Sequence, residues 1–296
     1  MSQTMEYWQL KMRRANEHLD ALDAECARLV ETCLDGIIGQ EKRDGDIVQY
    51  RRMLGATAAP YSERLGMLLG DFLGNLRSSL DHLVSILTWD HRGEILDSAE
   101  FPIFFCKKDY NKRFGGAAHK IRGVPPLAAT IIEALQPYGR GDHSEREADP
   151  LWVLHKLVNT DKHSLTPWMW MRALRSEPDI IEMRGMTKIS FEVFSNEGGI
   201  NTGTQFSLLT ARVTAEQASM NMNDNIEFAV CFDQRTIVPG HRVPDVCHRL
   251  RDYVRDEVFP LFEQFHKSPV IVTAITSGFE EVDPADPDLP WRWREV

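Results

Sequence analysis

Two stretches of the sequence concentrate side chains that can hold an anion or move a proton. They are Asn75-Leu-Arg77-Ser-Ser-Leu-Asp81-His82 and His155-Lys-Leu-Val-Asn159-Thr-Asp161-Lys162-His163. A guanidinium or ammonium group can hold a phosphate, and an imidazole can transfer a proton near neutral pH. The residue types therefore suggest a binding or acid–base site. The alternative is a structural network of hydrogen-bonded polar groups.

In the first stretch, the spacing of Arg77 and Asp81 by four residues lets them pair on one helix. Arg77 lies on or beside the apolar face, whereas His82 is rotated from it by about 140° at 100° per residue. One straight helix cannot aim both side chains at one atom, so a shared site needs a second helix or a second copy. Otherwise the pair is a partly buried ion pair that ties this helix to a neighbour.

In the second stretch, His155, Asn159 and His163 recur at four-residue steps with Lys162 beside them, which makes one polar stripe. Such a stripe could bind a phosphate or transfer protons. It could equally be a solvated surface, or a set of donors that hold the β segment in place.

Metal and cofactor chemistry find little support. His155 and His163 are two helical turns apart, about 12 Å along the axis, which is too far for one ion. A metal hydrolase would need three of His82, His155, Asp161 and His163 to converge. The sequence contains no HExxH, GxxxxGK[ST], GxGxxG or GxSxG motif. We therefore predict neither a metal nor a cofactor.

The elements that would position these residues indicate an α+β fold. Apolar periodicity predicts helices over residues 6–34, 62–89, 125–135, 149–165 and 244–262. Alternation predicts strands over 46–53, 101–105, 180–183, 188–194, 206–214 and 226–232, and the polar residues 139–148 indicate an exposed loop. We expect one domain over residues 1–276: a bundle of about five helices (1–175 and 243–268) with a small antiparallel sheet (178–240) inserted before the last long helix. An acidic, proline-rich tail follows (277–296).

Composition excludes some partners. The net charge of −10 and the pI near 5.5 argue against duplex DNA and anionic membranes, which attract cationic proteins. Five cysteines without a CxxC pair indicate free thiols in a reducing compartment. We expect a cytoplasmic protein.

One segment departs from this acidic balance. Residues 107–122 carry six cations against the single acid Asp109, together with Tyr110, Phe114 and two glycines. The cations are Lys107, Lys108, Lys112, Arg113, Lys120 and Arg122. The segment could contact a nucleic-acid backbone, or it could be a solvated loop.

Five blocks of the chain resemble a group of uncharacterised bacterial proteins. They are Asn75-Leu-Arg-Ser-Ser-Leu-Asp-His82, Phe101-Pro-Ile-Phe104, Lys120-Ile-Arg-Gly-Val-Pro125, Leu135-Gln-Pro-Tyr138 and Leu154-His-Lys-Leu-Val-Asn-Thr-Asp-Lys-His163. The resemblance covers residues 60–166 and implies no activity.

The spacing of Arg77 and His82 is also similar to the Arg-x4-His motif of HEPN domains, helical bundles that often act as metal-independent RNases. That resemblance implies a dimer in which Arg77 stabilises phosphate charge and His82 transfers a proton. Ser78 departs from the amide or acid that often follows the arginine in that family.

Two hypotheses follow. In the first, the chain is a HEPN-like RNase or nucleotide-binding protein, with RNA or a nucleotide as partner and a homodimer as its working form. Arg77 and His82 are then catalytic, and substrate is bound by Asn75, Asp81, His155, Asn159, Asp161, Lys162 and His163. In the second, the chain is a non-enzymatic interaction or scaffold protein, and the cluster around Arg77, His82, Asn159 and His163 is a structural polar network.

Overall fold

A computed structural model describes residues 5–55, 62–163, 169–176, 179–194, 199–200, 203–215, 219–223 and 226–265. It confirms the α+β class. The helices are α1 (Met5–Asp35), α2 (Glu63–Arg92), α3 (Lys107–Tyr110), α4 (Ala117–Lys120), α5 (Pro126–Ala134), α6 (His143–Glu147), α7 (Pro150–His163) and α8 (Val243–Asp252). The strands are β1 (Ile37–Asp44), β2 (Ile47–Leu54), β3 (Met169–Ser176), β4 (Asp179–Arg184), β5 (Met186–Val193), β6 (Gln205–Val213), β7 (Ser219–Asn223) and β8 (Ile226–Phe232).

The long helices α1 and α2 pack against each other along their length. His18 of α1 lies beside Asp71 of α2 (Nδ1–Oδ2 3.8 Å), and the charge of Lys11 acts on His82. Residues early in α1 therefore meet residues late in α2, so the two helices are antiparallel. Leucines at three- and four-residue steps line the joint core, as the sequence predicts.

Two further helical segments complete the bundle. The carboxylate of Asp161 in α7 lies against Gly70 of α2, where a Cβ would be 2.9 Å from both oxygens. After α8 the chain continues as a π-helical turn (Tyr253–Val258) and a 3₁₀ segment (Phe259–Phe265). The ring of Phe259 packs on Trp8 of α1 at 4.1 Å between centroids. Helix α7 therefore packs on α2, and the segment after α8 packs on α1.

The six strands from β3 to β8 form one long antiparallel ribbon with two interruptions. Strand β3 pairs with β8, β4 pairs with β7, and β5 pairs with β6. The partners run from Met169 opposite Phe232 to Val193 opposite Ser207, so the register is nearly constant along the ribbon. The base of the ribbon packs on the helical core, and its other end returns to the same core through Ile200 and Phe206. Between them, Met186, Leu209 and Ala211 form a separate small core with Val48 of β2.

The sheet is not simply an insertion before the last helix. Strands β1 and β2, which connect α1 to α2, pair with the end of the ribbon in the order β1-β2-β6-β5. Strand β3 also begins within the region predicted to be helical bundle. The sheet is therefore built from strands that precede α2 and strands that follow α7, and the strand predicted at 46–53 corresponds to β2.

Some local predictions were wrong. Residues 101–105 have no regular secondary structure and pair with no strand among the described residues, and part of the predicted loop 139–148 forms α6. Strands β1, β3 and β7 were missed. The tail (277–296) lies outside the described residues. None of the described helices has the length and apolar character needed to cross a membrane.

Candidate functional site

Arg77 is a buried cation on α2, with 8% of its surface exposed. It is buried because it shares the packed side of α2 with Leu73, Leu76 and Leu80. Its Nη2 group lies 2.9 Å from Asp81 Oδ1, 2.9 Å from Glu100 Oε1 and 2.5 Å from the carbonyl oxygen of Phe101. The predicted ion pair with Asp81 is therefore present, but it belongs to a larger cluster.

The two carboxylates of this cluster also hold other groups. Asp81 Oδ1 accepts a hydrogen bond from the backbone N–H of Phe101 at 2.9 Å. Glu100 Oε2 accepts one from Lys120 Nζ at 2.5 Å. The cations of Arg77 and Lys120 and the carboxylates of Asp81 and Glu100 thus meet around the backbone of residues 100–101. The two positive and two negative formal charges cancel.

Burial affects the two acids differently. Burial raises the pKa of Asp81, and the charge of Arg77 and the Phe101 N–H offset this only in part. Burial also acts to raise the pKa of Glu100, but the hydrogen bond and charge of Lys120, with those of Arg77, lower it below its usual value. Glu100 is therefore the firmly ionised member of the pair.

His155 of α7 lies next to this cluster. Burial, and then the charges of Arg77 and Lys120, lower the pKa of its imidazole to about 4. Its Nε2 is 2.9 Å from Asn159 Nδ2, and its ring stacks on Trp152 at 5.3 Å. Because a neutral imidazole nitrogen can accept a hydrogen bond from an amide, this contact fits the neutral form. His155 is uncharged at neutral pH.

The cluster therefore brings together residues from α2, α4, α7 and the segment before Phe101. We call it the polar cluster: Arg77, Asp81, Glu100, Lys120, His155 and Asn159. Sequence reasoning found four of these residues at the site, assigned Lys120 to the basic segment and missed Glu100. The only available signal for Glu100 was its position directly before the Phe101-Pro-Ile-Phe104 block.

His82 follows Asp81 on α2, and the charge of that carboxylate acts on its imidazole. It is half-buried, and its pKa is lowered first by burial and then by the charge of Lys11 on α1. The rotation of about 140° from Arg77 along α2 therefore directs it toward α1. The pair expected from the HEPN-like spacing would have to form between two chains.

The remaining predicted site residues have other positions. Asn75 donates from Nδ2 to the carbonyl oxygen of Asp71, one turn earlier in α2, at 2.8 Å. Asp161 lies at the contact of α7 with Gly70. Lys162 and His163 belong to the last turn of α7, but their side chains lie outside the described part of the structure.

A large groove lies elsewhere, between the start of α7 and the π-helical turn. Its volume is about 720 Å³, and its lining includes Arg140, Asp149, Arg249 and Tyr253 but no member of the polar cluster. Arg140 donates to the buried Asp149 at 2.6 Å and to the hydroxyl of Tyr253 at 2.8 Å. These contacts attach the N-terminus of α7 to the last helical segment.

Within the described residues, no three His, Cys, Asp or Glu side chains are grouped so that they could hold an ion.

Comparisons with family models, with curated proteins and with solved structures found no match to this chain.

Proposed function

We propose that this chain is a non-enzymatic binding protein in which the polar cluster is a structural frame. The observation that carries the proposal is the saturation of the Nη2 group of Arg77. This group has only two hydrogens, yet three acceptors of the chain lie within hydrogen-bond distance of it. A substrate phosphate that bound Nη2 would have to displace acceptors that the fold itself needs.

The charge balance supports the same proposal. Arg77 pairs with Asp81 and shares Glu100 with Lys120, so two carboxylates balance two cations and the cluster offers no net positive charge to an anion. His155 is engaged by Asn159 and Trp152, and its lowered pKa of about 4 leaves it without the positive charge of an imidazolium acid at neutral pH. The frame instead attaches the segment before Phe101 and the end of α4 to α2 and α7.

A metal-independent RNase of HEPN-like type is the second candidate. One observation favours it: the Nη1 atom of Arg77 is buried and has no hydrogen-bond partner among the described residues. A phosphate oxygen reaching this atom would gain a charge-assisted hydrogen bond. Catalysis would then need His82 from a second copy, or His155 from the same chain.

The discriminating experiment measures stability and cleavage on the same proteins. We expect Arg77→Met to lower the free energy of unfolding by about 1–3 kcal/mol, because it leaves two half-buried carboxylates and the carbonyl oxygen of Phe101 without their buried cation. Asn75→Ala on the same helix is the matched control, with an expected change within about 0.5 kcal/mol. Urea unfolding followed by circular dichroism gives both values.

The second half of the experiment incubates wild type, His82→Ala and His155→Gln with a mixed RNA pool in EDTA. The proposal predicts no cleavage by any of them. Cleavage by wild type that His82→Ala abolishes without loss of stability would establish the RNase instead. If Arg77→Met is as stable as wild type, the polar cluster is not a structural frame.

A further inference from the structure

The basic segment carries near its middle a side chain that the fold leaves almost entirely exposed to water. The ring of Phe114 is 81% exposed, and the guanidinium of Arg113 lies 5.5 Å from its centroid. A cation beside an open aromatic face is the combination that proteins use to stack on nucleic-acid bases. We infer that this loop, residues 107–122, binds single-stranded nucleic acid.

The base of the loop is fixed, so the exposure of Phe114 is a property of the fold. Tyr110 is buried, with its ring packed edge-on against Phe104 at 5.8 Å and Tyr138 at 5.5 Å. At Gly116 a Cβ would lie 2.1 Å from the carbonyl oxygen of Lys112 and 2.7 Å from that of Tyr110. The chain thus closes tightly on itself on either side of Phe114.

Several cations of the loop are available to phosphates. Lys108 and Arg122 are exposed. Lys107 pairs with Glu133 at 3.2 Å and Lys112 with Asp109 at 2.5 Å, both as exposed pairs. Exposed ion pairs contribute about 0–1 kcal/mol, so a phosphate can compete for either lysine.

Lys120 has a different role, because its ammonium group is held by Glu100 within the polar cluster. It attaches the far end of the loop to α2 through Arg77. The inference therefore rests on the proposed function: the frame holds the surface that binds.

The remainder of the molecule selects a single strand over a duplex. The loop carries a local charge of +5 in a chain whose net charge is −10. A stiff duplex that extends past the loop approaches the rest of a chain whose remaining net charge is −15, whereas a flexible strand can contact the loop alone. A single strand also offers unstacked bases to Phe114, which a duplex does not.

The test is fluorescence anisotropy with a labelled mixed-sequence 12-nucleotide RNA in EDTA, titrated with the full chain. We expect Phe114→Ala to weaken binding about tenfold, since stacking on an aromatic side chain is worth about that factor or more per base. Lys108→Glu and Arg122→Glu should each weaken it as well. Three or four phosphate contacts predict a slope of about −2 to −3 for log K against log salt.

Two control variants change the same chemistry elsewhere. Met67→Ala truncates another exposed apolar side chain, on α2, and Lys42→Glu reverses another exposed charge, on β1. Both should bind as wild type does, and a duplex of the same sequence should bind at least about tenfold more weakly.

The inference is overturned if wild type does not bind, if Phe114→Ala binds as well as wild type, or if Lys42→Glu weakens binding as much as Lys108→Glu. Equal affinity for poly-glutamate would also overturn it, because the loop would then recognise only negative charge. The stability result for Arg77→Met is independent of these outcomes, so the two proposals fail separately.

Discussion

Arg77 serves the polar cluster through one nitrogen atom. Its Nη2 lies within hydrogen-bond distance of a carboxylate on its own helix, a carboxylate before Phe101 and a backbone carbonyl. A lysine would keep the charge, but an ammonium group is more strongly hydrated than a guanidinium and is therefore costlier to bury. Arg77→Lys should therefore retain the charge balance but lower the free energy of unfolding.

His155 gives the cluster a measurable pH signature. The unfolded chain protonates this imidazole near pH 6.5, whereas the folded chain resists protonation down to about pH 4. The free energy of unfolding should therefore fall by about 3 kcal/mol between pH 6.5 and 4 and lose this dependence below pH 4.

In His155→Gln this component should disappear. The lowered pKa of His82 makes stability depend on pH in the same direction. The quantity to measure is therefore the free energy of unfolding in urea of wild type minus that of His155→Gln, from pH 4 to 7.5. Parallel profiles for wild type and His155→Gln would contradict the assignment.

Gln136 has a comparable structural role in the neighbouring segment. It is fully buried, accepts from the N–H of Phe104 at 3.0 Å and donates to the carbonyl oxygen of Pro102 at 2.8 Å. Gln136→Met retains the shape but leaves both backbone groups unpaired, at about 1–3 kcal/mol each. We expect the free energy of unfolding to fall by about 2–5 kcal/mol.

The exposed Gln264→Met is the control for Gln136→Met, and it should change stability by less than about 0.5 kcal/mol. Equal stability of the two variants would show that the backbone of residues 101–104 finds other partners.

At the scale of elements, the segment 101–104 explains one wrong prediction. Its apolar residues favour a strand, but the segment has no regular secondary structure. Side chains of Arg77, Asp81 and Gln136 bond its polar backbone groups in place of a neighbouring strand. A local pattern indicates extended backbone, but it cannot tell whether the partner is a strand or a set of side chains.

The pattern of burial along an element explains why the sequence predicted the long helices but missed some strands. The unbroken stripe of α2 identifies a helix because one face is buried along its whole length. Strand β1, by contrast, is an exposed edge with charged residues, and β3 is rich in methionine and leucine. Pairing with β2 and β8 makes them strands, and that pairing is a tertiary property. The Arg77–Asp81 pair was predictable from spacing, whereas Glu100 and Lys120 join it only through the fold.

The middle of the ribbon should open before the helices do. Its core is a cluster of Val48, Met186, Leu209 and Ala211, separate from the main core. We expect native-state hydrogen exchange to show lower opening free energies for amides of β5 and β6 than for those of α2.

Leu209→Ala should lower protection in β5 and β6 by about 2–3 kcal/mol and leave α2 nearly unchanged. Leu80→Ala, in the main core, is the matched truncation and should lower protection throughout. Equal loss of protection in α2 and β6 on Leu209→Ala would mean that the sheet and the helices open as one unit.

At the scale of the whole molecule, the five cysteines report on global folding. Cys26, Cys33, Cys231 and Cys247 are buried, and burial raises the pKa of each thiol, to about 12 for Cys26 and about 11 for Cys33. Cys106 is half-exposed, with its Sγ 2.9 Å from Asp109 Oδ2. We expect a thiol reagent at pH 8 to modify one cysteine quickly and four only on unfolding.

Cys106→Ser should remove the fast phase and leave the slow phase unchanged. A second fast thiol in this variant would show that one of the four buried positions is open in solution.

The pairing of β2 with β6 also has a consequence for how the chain is made. The residues it joins, such as Val48 and Ala211, are about 160 positions apart, so a ribosome adds amino acids for roughly 8 to 30 seconds between them. During that interval β1 and β2 are a nascent hairpin with an unpaired edge, the type of surface that recruits other nascent chains. The charges of Glu41, Lys42, Arg43 and Arg51 on these strands are suited to keep that edge soluble until its partner has been synthesised.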